Sequence, residues 1–377
     1  MAPPGTTASI APVPVPLFDT SSQLVGLRGE FDAAIARVLD SERFILGPEL
    51  AAFEQELAAY CGAGQAVGVA NGTDALTIAL RAMGVGPGDD VVVPSFTFYA
   101  SAEAIPPTGA RPVFCDIDLE TFCVTADTVK AALTPKTKAV IAVDLFGNVP
   151  PIAEIEALGV PVLEDAAQAL GTTTPAGRAG SLGTLATLSF FPSKNLGCFG
   201  DGGAILTSDA ELAESVRMLR FHGSRDKVTF EEVGYNSRLD ELQAAILRVQ
   251  LPHLDEWAAR RHAAGRRYEE EGLGEVVALP RPAGGAIPAW HLYVVRSDAA
   301  DELGEGLSAE GIGNRAYYRV PAHRQPALRE FAGEAELPVT DEAARTNLAV
   351  PMSPALTVEQ VRAVCQAAQR RLGRRAA

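Results

Sequence analysis

The sequence predicts an α/β protein with a mainly parallel central sheet in a large domain, followed by a smaller α+β domain. Short apolar runs rich in β-branched residues alternate with helical stretches from residue 66 to about residue 220. Strands that are apolar on both faces are typical of parallel sheets covered by helices on two sides. A chain of 377 residues is also too long to fold around one small hydrophobic core.

The elements of the large domain follow in order along the chain. Residues 1–14 are rich in proline, lack the pattern of a signal peptide and are predicted to form a flexible arm. Residues 28–40 and 47–60 are amphipathic and are predicted to be helices. The predicted strands are 66–70, 91–95, 111–118, 138–146, 160–168, 185–191 and 203–208, with helices at 73–83, 125–132 and 209–220.

From residue 237 the sequence becomes helical, and Pro252 is expected to kink or break that stretch. A strand within 290–296 and a last helix near 357–372 complete a smaller unit. We therefore predict a large domain over 15–250 and a small C-terminal domain over 251–377.

Composition excludes several classes of function. The net charge of −15 argues against nucleic-acid partners and against anionic membrane surfaces, and no apolar run reaches membrane-spanning length. Five scattered cysteines without a C-x-x-C motif indicate reduced thiols in a cytoplasmic protein. The five histidines lack metal-binding spacings, so we expect no metal site.

Two predicted strands end in residues that suit a flat, phosphorylated ligand. In "ANGTDAL", Gly72 and Thr73 begin a helix, and free N–H groups at a helix start favour an anion. In "VPSFTFY", Phe98 follows a strand, where its ring could cover a planar ligand. A simple helix cap and ordinary core packing remain the alternatives for these two segments.

Two further strand ends carry charged residues. In "VLEDAAQA", Glu164 and Asp165 follow an apolar run, and a buried carboxylate there needs a cation or hydrogen-bond donors. Gln168 lies three residues further on. In "SFFPSKNLG", Ser189 precedes Lys194, and a lysine in a partly dry pocket can attack carbonyl groups. A helix cap for Asp165 and a surface turn for Lys194 are the alternatives.

Together these ends supply an anion site, an aromatic cover, an acid, a hydroxyl and a lysine. Pyridoxal 5'-phosphate (PLP) has the matching phosphate, planar ring, ring nitrogen and aldehyde. Neither a P-loop nor a G-x-G-x-x-G fingerprint is present, which argues against nucleotide-binding folds of the usual kinds.

The chain resembles the DegT/DnrJ/StrS-type PLP-dependent nucleotide-sugar aminotransferases, whose fold is the type I fold of aspartate aminotransferase. The resemblance extends from "VPLFD" at 15–19 to the last helix. Its strongest segments are "ANGTDAL", "GVGPGDDVVVPSFTF", "PVLEDAAQALG", "FFPSKNLG", "GDGGAI" and "VGYNSRLDELQAAIL".

The resemblance implies roles for the residues at these strand ends. Lys194 would hold the cofactor aldehyde as a Schiff base and later move the proton between the two reacting carbons. Asp165 would pair with the pyridine nitrogen, Gln168 would lie near the phenolic oxygen, and Phe98 would stack on the ring. The phosphate would be held by three residues: Gly72, Thr73 and Ser189.

The resemblance also implies a homodimer, because Asn236 would reach the phosphate of the neighbouring subunit's cofactor. Arg238 is a weaker candidate for binding an amino-donor carboxylate. Four residues of the small domain, in "NRAYYRVPAHRQPA", are candidates for the pocket of the sugar and its diphosphate: Tyr317, Tyr318, Arg319 and His323.

The implied reaction moves an amino group from L-glutamate to a nucleotide-linked keto-sugar, leaving the cofactor transiently in its amine form (PMP). Many family members carry H-Y-P where this sequence has Tyr317, Tyr318 and Arg319. We interpret this difference as favouring C-4 of a (d)TDP-4-keto-6-deoxy-hexose, with C-3 of a dTDP-3-keto-6-deoxy-hexose as the alternative. Such enzymes serve amino-sugar biosynthesis for antibiotics or surface glycans.

Three other functions are weighed against this one. A PLP-dependent sugar dehydratase would replace the lysine at position 194, and a non-catalytic regulator would be expected to lose Lys194 or Asp165. A nicotinamide-dependent sugar oxidoreductase would need the missing glycine fingerprint.

Overall fold

A computed structural model describes residues 14–333 and 335–373. The helices longer than one turn are α1 (Arg28–Ser41), α2 (Pro48–Cys61), α3 (Gly72–Ala82), α4 (Tyr99–Glu103), α5 (Ala126–Ala132), α6 (Ile152–Glu156), α7 (Ala210–Leu219), α8 (Glu241–Gln250), α9 (Leu254–Glu270), α10 (Ala300–Ala309), α11 (Pro338–Thr346) and α12 (Val358–Leu372). Single helical turns lie at Ser21–Leu24 and Arg329–Ala332.

The strands are β1 (Gln65–Val69), β2 (Asp90–Pro94), β3 (Arg111–Cys115), β4 (Thr137–Val143), β5 (Val162–Asp165), β6 (Thr173–Thr174), β7 (Gly177–Arg178), β8 (Leu185–Ser189), β9 (Gly203–Thr207), β10 (Tyr293–Arg296) and β11 (Asn347–Val350). Seven of them form the central sheet in the order β1-β9-β8-β5-β4-β2-β3. Within that sheet β9 is antiparallel to both of its neighbours, and every other pairing is parallel. The carboxyl ends of six strands therefore meet at one edge, where such sheets bind ligands.

Two strands end earlier than the sequence predicts. The predicted strand 160–168 contains β5 only at Val162–Asp165, because Ala166 begins a turn in which its carbonyl accepts from the N–H of Ala169. The predicted strand 111–118 ends at Cys115. The early end of β5 leaves Asp165 at the sheet edge.

Apolar packing covers the sheet on both faces. All five residues of β2 and of β9 are buried, as the continuous apolar runs predict. The helices α3 and α2 contribute Ile78 and Phe53, which are completely buried, to the two largest core clusters. Covering both faces leaves the strand ends as the accessible part of the sheet.

The break at Pro252 is confirmed. A single 3-10 turn, Leu251–His253, separates α8 from α9 and contains this proline. Beyond it, β10 and β11 form an antiparallel pair, and α9, α10 and α12 pack around that pair in a core of their own.

The first described residues join this C-terminal core. Val15 is 1% exposed, donates its N–H to Gly311 O at 3.2 Å and accepts from Gly313 N at 2.8 Å. The N–H of Met352 donates to Leu17 O at 3.2 Å. The flexible arm predicted for residues 1–14 lies, except for Pro14, outside the described residues, and the domain boundaries stay predictions.

All five cysteines are free and buried. Within the two described stretches of chain, no helix is both long and apolar enough to cross a membrane.

Candidate active site

Asp165 is the last residue of β5 and is 5% exposed. Its Oδ2 accepts from Ser101 Oγ at 2.7 Å, and its Oδ1 accepts from the N–H of Ala167 at 3.3 Å. Burial raises the pKa of Asp165, while the two donors and the charge of Lys194 act against that rise. A carboxylate held in this way at a buried edge can receive a charged N–H group from a ligand.

Lys194 lies in the loop after β8, where its N–H donates to Phe191 O at 2.8 Å. Desolvation lowers the pKa of Lys194 to about 8, and attraction to Asp165 partly opposes the effect. At pH 7 about a tenth of amines with such a pKa are neutral, far more than of an ordinary lysine. Lys194 is half-buried rather than fully exposed, and an amine with such a pKa is suited to attack a carbonyl.

Gln168 forms hydrogen bonds with two aromatic residues. Its Oε1 accepts from the N–H of Phe146 at 2.9 Å, and its Nε2 donates to the hydroxyl of Tyr318 at 3.2 Å. The ring of Tyr318 lies 6.0 Å from that of Phe98. Phe98 is 53% exposed although it follows a buried strand, whereas Phe96 is fully buried. An exposed ring beside buried polar groups offers a face to a planar ligand.

An anion site lies where β8 ends beside the start of α3. Asn71 caps this helix by accepting from the N–H of Asp74 at 2.8 Å. The N–H groups of Gly72 and Thr73 have no acceptor among the described residues. A Cβ on Gly72 would lie 2.8 Å from Ser189 Cβ, so only glycine allows this approach. Free N–H groups and nearby hydroxyls form a site that fits a phosphate.

The structure brings Tyr318 to Gln168 but gives two other substrate candidates partners of their own. The guanidinium of Arg319 contacts Asp301 and the carbonyls at the end of α11. His323 is buried, its Nδ1 lies 2.6 Å from Ser95 Oγ, and burial lowers its pKa. Tyr317 is next to Tyr318 and donates its backbone N–H to Asn347 at 2.5 Å.

Asn236 and Arg238 line an open cleft of about 340 Å³ with Ala70, Asp201, Asp240 and Gln243. Between them, Ser237 Oγ accepts from the N–H of Ala70 at 3.0 Å. Asn236 is exposed in this single chain. Its contact with a neighbouring subunit stays a prediction.

Several buried polar groups near Lys194 are absent from the sequence-based prediction. Three of them carry an atom without a hydrogen-bond partner in the described chain: Asn195 Oδ1, Arg261 Nε and His291 Nδ1. Desolvation and the charges of Lys194 and Arg261 hold the pKa of His291 well below its usual value. A histidine before an apolar run, as in "WHLYVVR", was the available signal, but nothing in the sequence relates it to a lysine 97 positions earlier.

Glu164 faces a different environment from Asp165. It accepts from the N–H groups of Gly180 at 2.7 Å and Leu182 at 2.8 Å, and it adjoins Asp144. Asp144 is fully buried, and burial together with Glu164 raises its pKa well above the usual carboxyl value. Neither carboxyl oxygen of Asp144 has a hydrogen-bond partner among the described residues, so burial favours the neutral form of this acid beside Glu164.

Comparison with known proteins decides the family. The model of the DegT/DnrJ/EryC1/StrS aminotransferase family matches residues 26–369. The chain belongs to this family. Its members depend on PLP, and the phosphate site at Gly72, the acid Asp165 and the amine of Lys194 fit that cofactor.

Three family relatives match almost the whole chain. The dTDP-3-amino-3,4,6-trideoxy-alpha-D-glucose transaminase of Streptomyces venezuelae is 46% identical over 366 residues, 94% of this chain and 95% of its own. The pleiotropic regulatory protein of Geobacillus stearothermophilus is 46% identical over 354 residues, covering 92% and 95%. The UDP-N-acetyl-3-dehydro-alpha-D-glucosamine 3-aminotransferase of Acidithiobacillus ferrooxidans is 42% identical over 364 residues, covering 95% and 98%.

Solved aminotransferase structures share the fold. The S. venezuelae enzyme DesV in complex with a ketimine intermediate superposes with a TM-score of 0.91 at 46% identity, covering 95% of this chain and 98% of that one. NtdA of Bacillus subtilis with bound PMP gives 0.88 at 29% identity, covering 97% and 86%.

These DegT/DnrJ/EryC1/StrS relatives confirm the predicted fold, the cofactor and the enzyme class: the protein is a PLP-dependent nucleotide-sugar aminotransferase. The names of the transaminase relatives match C-3, the alternative, better than the predicted C-4.

Proposed function

We propose that this family member transfers the amino group of L-glutamate to C-3 of a nucleotide-linked 3-keto sugar in amino-sugar biosynthesis. The lowered pKa of Lys194 beside Asp165 is the observation that carries the catalytic part of the proposal. The choice of C-3 is supported by relatives that are 46% and 42% identical and are named for amination at that carbon.

Each residue of the site would have a separate task. PLP, when bound, supplies a ring that stabilises negative charge on the reacting carbon. Lys194 would bind the cofactor aldehyde with its neutral amine and then carry a proton to and from the substrate carbon. Asp165, kept in place by Ser101, would keep a proton on the ring nitrogen. Gln168 would contact the ring near its phenolic oxygen.

The binding residues would fix the cofactor's position before the chemistry begins. The N–H groups of Gly72 and Thr73 and the hydroxyl of Ser189 would hold the phosphate, and Phe98 would cover the ring. Because these groups come from three separate segments of the sheet edge, the cofactor would be fixed at several points. Such fixing aligns the reacting bonds and lowers the entropic barrier.

A regulatory role is the second candidate, because one relative at 46% identity is named a pleiotropic regulatory protein. A protein that only regulates would have no use for an amine with a lowered pKa beside a buried acid. Lys194 and Asp165 are both present with that geometry, which supports catalysis.

The test is a pair of half-reactions with the purified holoenzyme. The yellow colour of the bound cofactor should bleach on adding L-glutamate and return on adding a nucleotide-linked 3-keto sugar. NMR of the product should place the new amine at C-3, and the matching 4-keto sugar should react much more slowly. A product aminated at C-4 would refute the choice of carbon, and an absence of bleaching would refute the enzymatic role.

A further inference from the structure

Arg315 lies two residues before Tyr317 and has a backbone fixed by pairing with Ala349. Its N–H donates to Ala349 O at 3.2 Å, and its carbonyl accepts from Ala349 N at 2.8 Å, which holds it against β11. The side chain is exposed, and its guanidinium carbon lies 5.2 Å from the centre of the Tyr317 ring. The two backbone hydrogen bonds with Ala349 therefore limit the positions that the Arg315 guanidinium can occupy.

The charge of Arg315 also acts on Tyr318. Burial raises the pKa of both the Tyr317 and the Tyr318 hydroxyl, and the nearby guanidinium opposes each rise. Tyr318 in turn accepts a hydrogen bond from Gln168, three residues beyond Asp165 at the end of β5. Arg315, Tyr317, Tyr318 and Gln168 therefore form a row of neighbouring side chains that leads to the turn after Asp165.

Other arginines of the same unit are neutralised by carboxylates. The pairs are Arg296–Glu342, Arg319–Asp301, Arg324–Asp341 and Arg345–Asp298. Among the residues that the structure describes, no carboxylate lies within ion-pair distance of Arg315. This cation is thus available to an anionic ligand, whereas Arg319, nominated from sequence for the sugar and diphosphate pocket, is already paired with Asp301.

We propose that Arg315 binds an anionic oxygen group of a substrate, either a phosphate of the nucleotide sugar or a carboxylate of the amino donor. The proposal rests on the proposed function, which supplies both anions. A guanidinium can bind either group through two parallel hydrogen bonds. In a protein with a net charge of −15, an available cation also counteracts repulsion of anionic substrates.

The test compares Arg315→Gln with wild-type holoenzyme. Loss of a charged hydrogen bond should raise KM for one substrate by ~10–100-fold, with kcat changed by less than about threefold. A rise in KM for the nucleotide sugar identifies the phosphate, and a rise in KM for L-glutamate identifies the carboxylate. Arg315→Lys should restore part of the affinity because it keeps the charge but not the planar fork.

Arg345→Gln is the matched control, because it removes one exposed arginine of the same unit that is already paired with Asp298. It should leave both KM values unchanged. An unchanged melting temperature would show that Arg315→Gln remains folded. Unchanged KM values for both substrates in Arg315→Gln, or a comparable rise in Arg319→Gln alone, would overturn the proposal.

Calorimetric titration of holoenzyme with dTDP and with L-glutamate separates this proposal from the proposed function. If wild-type protein transfers no amine but binds either ligand more tightly than Arg315→Gln, the anion site stands and the reaction is wrong. If wild-type turnover is normal and neither ligand distinguishes the two proteins, the reaction stands and the anion site is wrong.

Discussion

Lys194 is the residue on which the proposed chemistry depends most directly. We expect Lys194→Ala to fold and to bind PLP, but to lose turnover by ~1,000-fold or more, because no other described amine lies beside Asp165 in a dry environment. Stopped-flow measurement of each half-reaction would test this. Lys130→Ala, which removes an exposed lysine from α5, should keep wild-type rates. Comparable turnover in the Lys194 variant would remove this residue from the mechanism.

The lowered pKa of Lys194 gives a second prediction. Because only the neutral amine attacks an aldehyde, cofactor uptake by the cofactor-free protein should accelerate as pH rises through about 8. The neutral fraction grows from about a tenth at pH 7 to about nine tenths at pH 9, so we expect a rise of ~5–10-fold. Absorbance at several pH values would follow the uptake. A rate that kept increasing up to pH 10.5 would indicate an ordinary lysine.

At the scale of the element, two buried acids lie on the neighbouring strands β4 and β5: Asp144 directly follows β4, and Glu164 belongs to β5. The pKa of Asp144 is raised on folding, so the folded state holds a proton that the unfolded chain releases above its ordinary pKa near 3.8. Stability should therefore fall as pH rises from about 4 towards the folded pKa, and level off beyond it.

Two substitutions at Asp144 should separate these effects. Asp144→Asn keeps the size of the side chain but cannot ionise, so it should be at least as stable as wild type at pH 7. Asp144→Ala also removes the titrating group but leaves unfilled space at a buried position, and it should lose about 1–3 kcal/mol of unfolding free energy. Thermal unfolding across pH would measure both. If either variant kept the wild-type fall in stability with pH, Asp144 would not be the titrating group.

The elements also show where sequence patterns stop being informative. Continuous apolar runs predict which segments are strands, and the helix start at Gly72 follows from local cap chemistry. The exact end of β5 depends on a turn that begins at Ala166. The ion pair of Arg319 depends on Asp301 in a different helix, so sequence alone nominated an arginine that is already paired. Long-range effects such as that of the Lys194 charge on His291 leave no periodic signal.

At the scale of the whole molecule, the proposed homodimer has a direct test. Asn236→Asp would place a negative charge against the partner's cofactor phosphate, so this variant should be inactive on its own, like Lys194→Ala. If each site uses both chains, mixing the two variants should restore about a quarter of wild-type activity. Half of the dimers would then be hybrids, and each hybrid would have one intact site.

Light scattering of the wild-type protein should give twice the mass of one chain. Separate mixing of each variant with itself is the control and should restore nothing. If the mixture of both variants remained inactive although subunits had exchanged, Asn236 would act within its own chain.

The pairing of Val15 with the segment around Ile312 has a consequence for synthesis. The backbone hydrogen bonds of Val15 and Leu17 are made with Gly311, Gly313 and Met352. These bonds cannot form until most of the chain has been translated. At ordinary ribosomal speeds that delay is about 20–70 s. During this interval the apolar residues Val15 and Leu17 remain exposed on the nascent chain. A chaperone that acts near the ribosome exit could therefore bind them before the C-terminal segments that cover them have been synthesised.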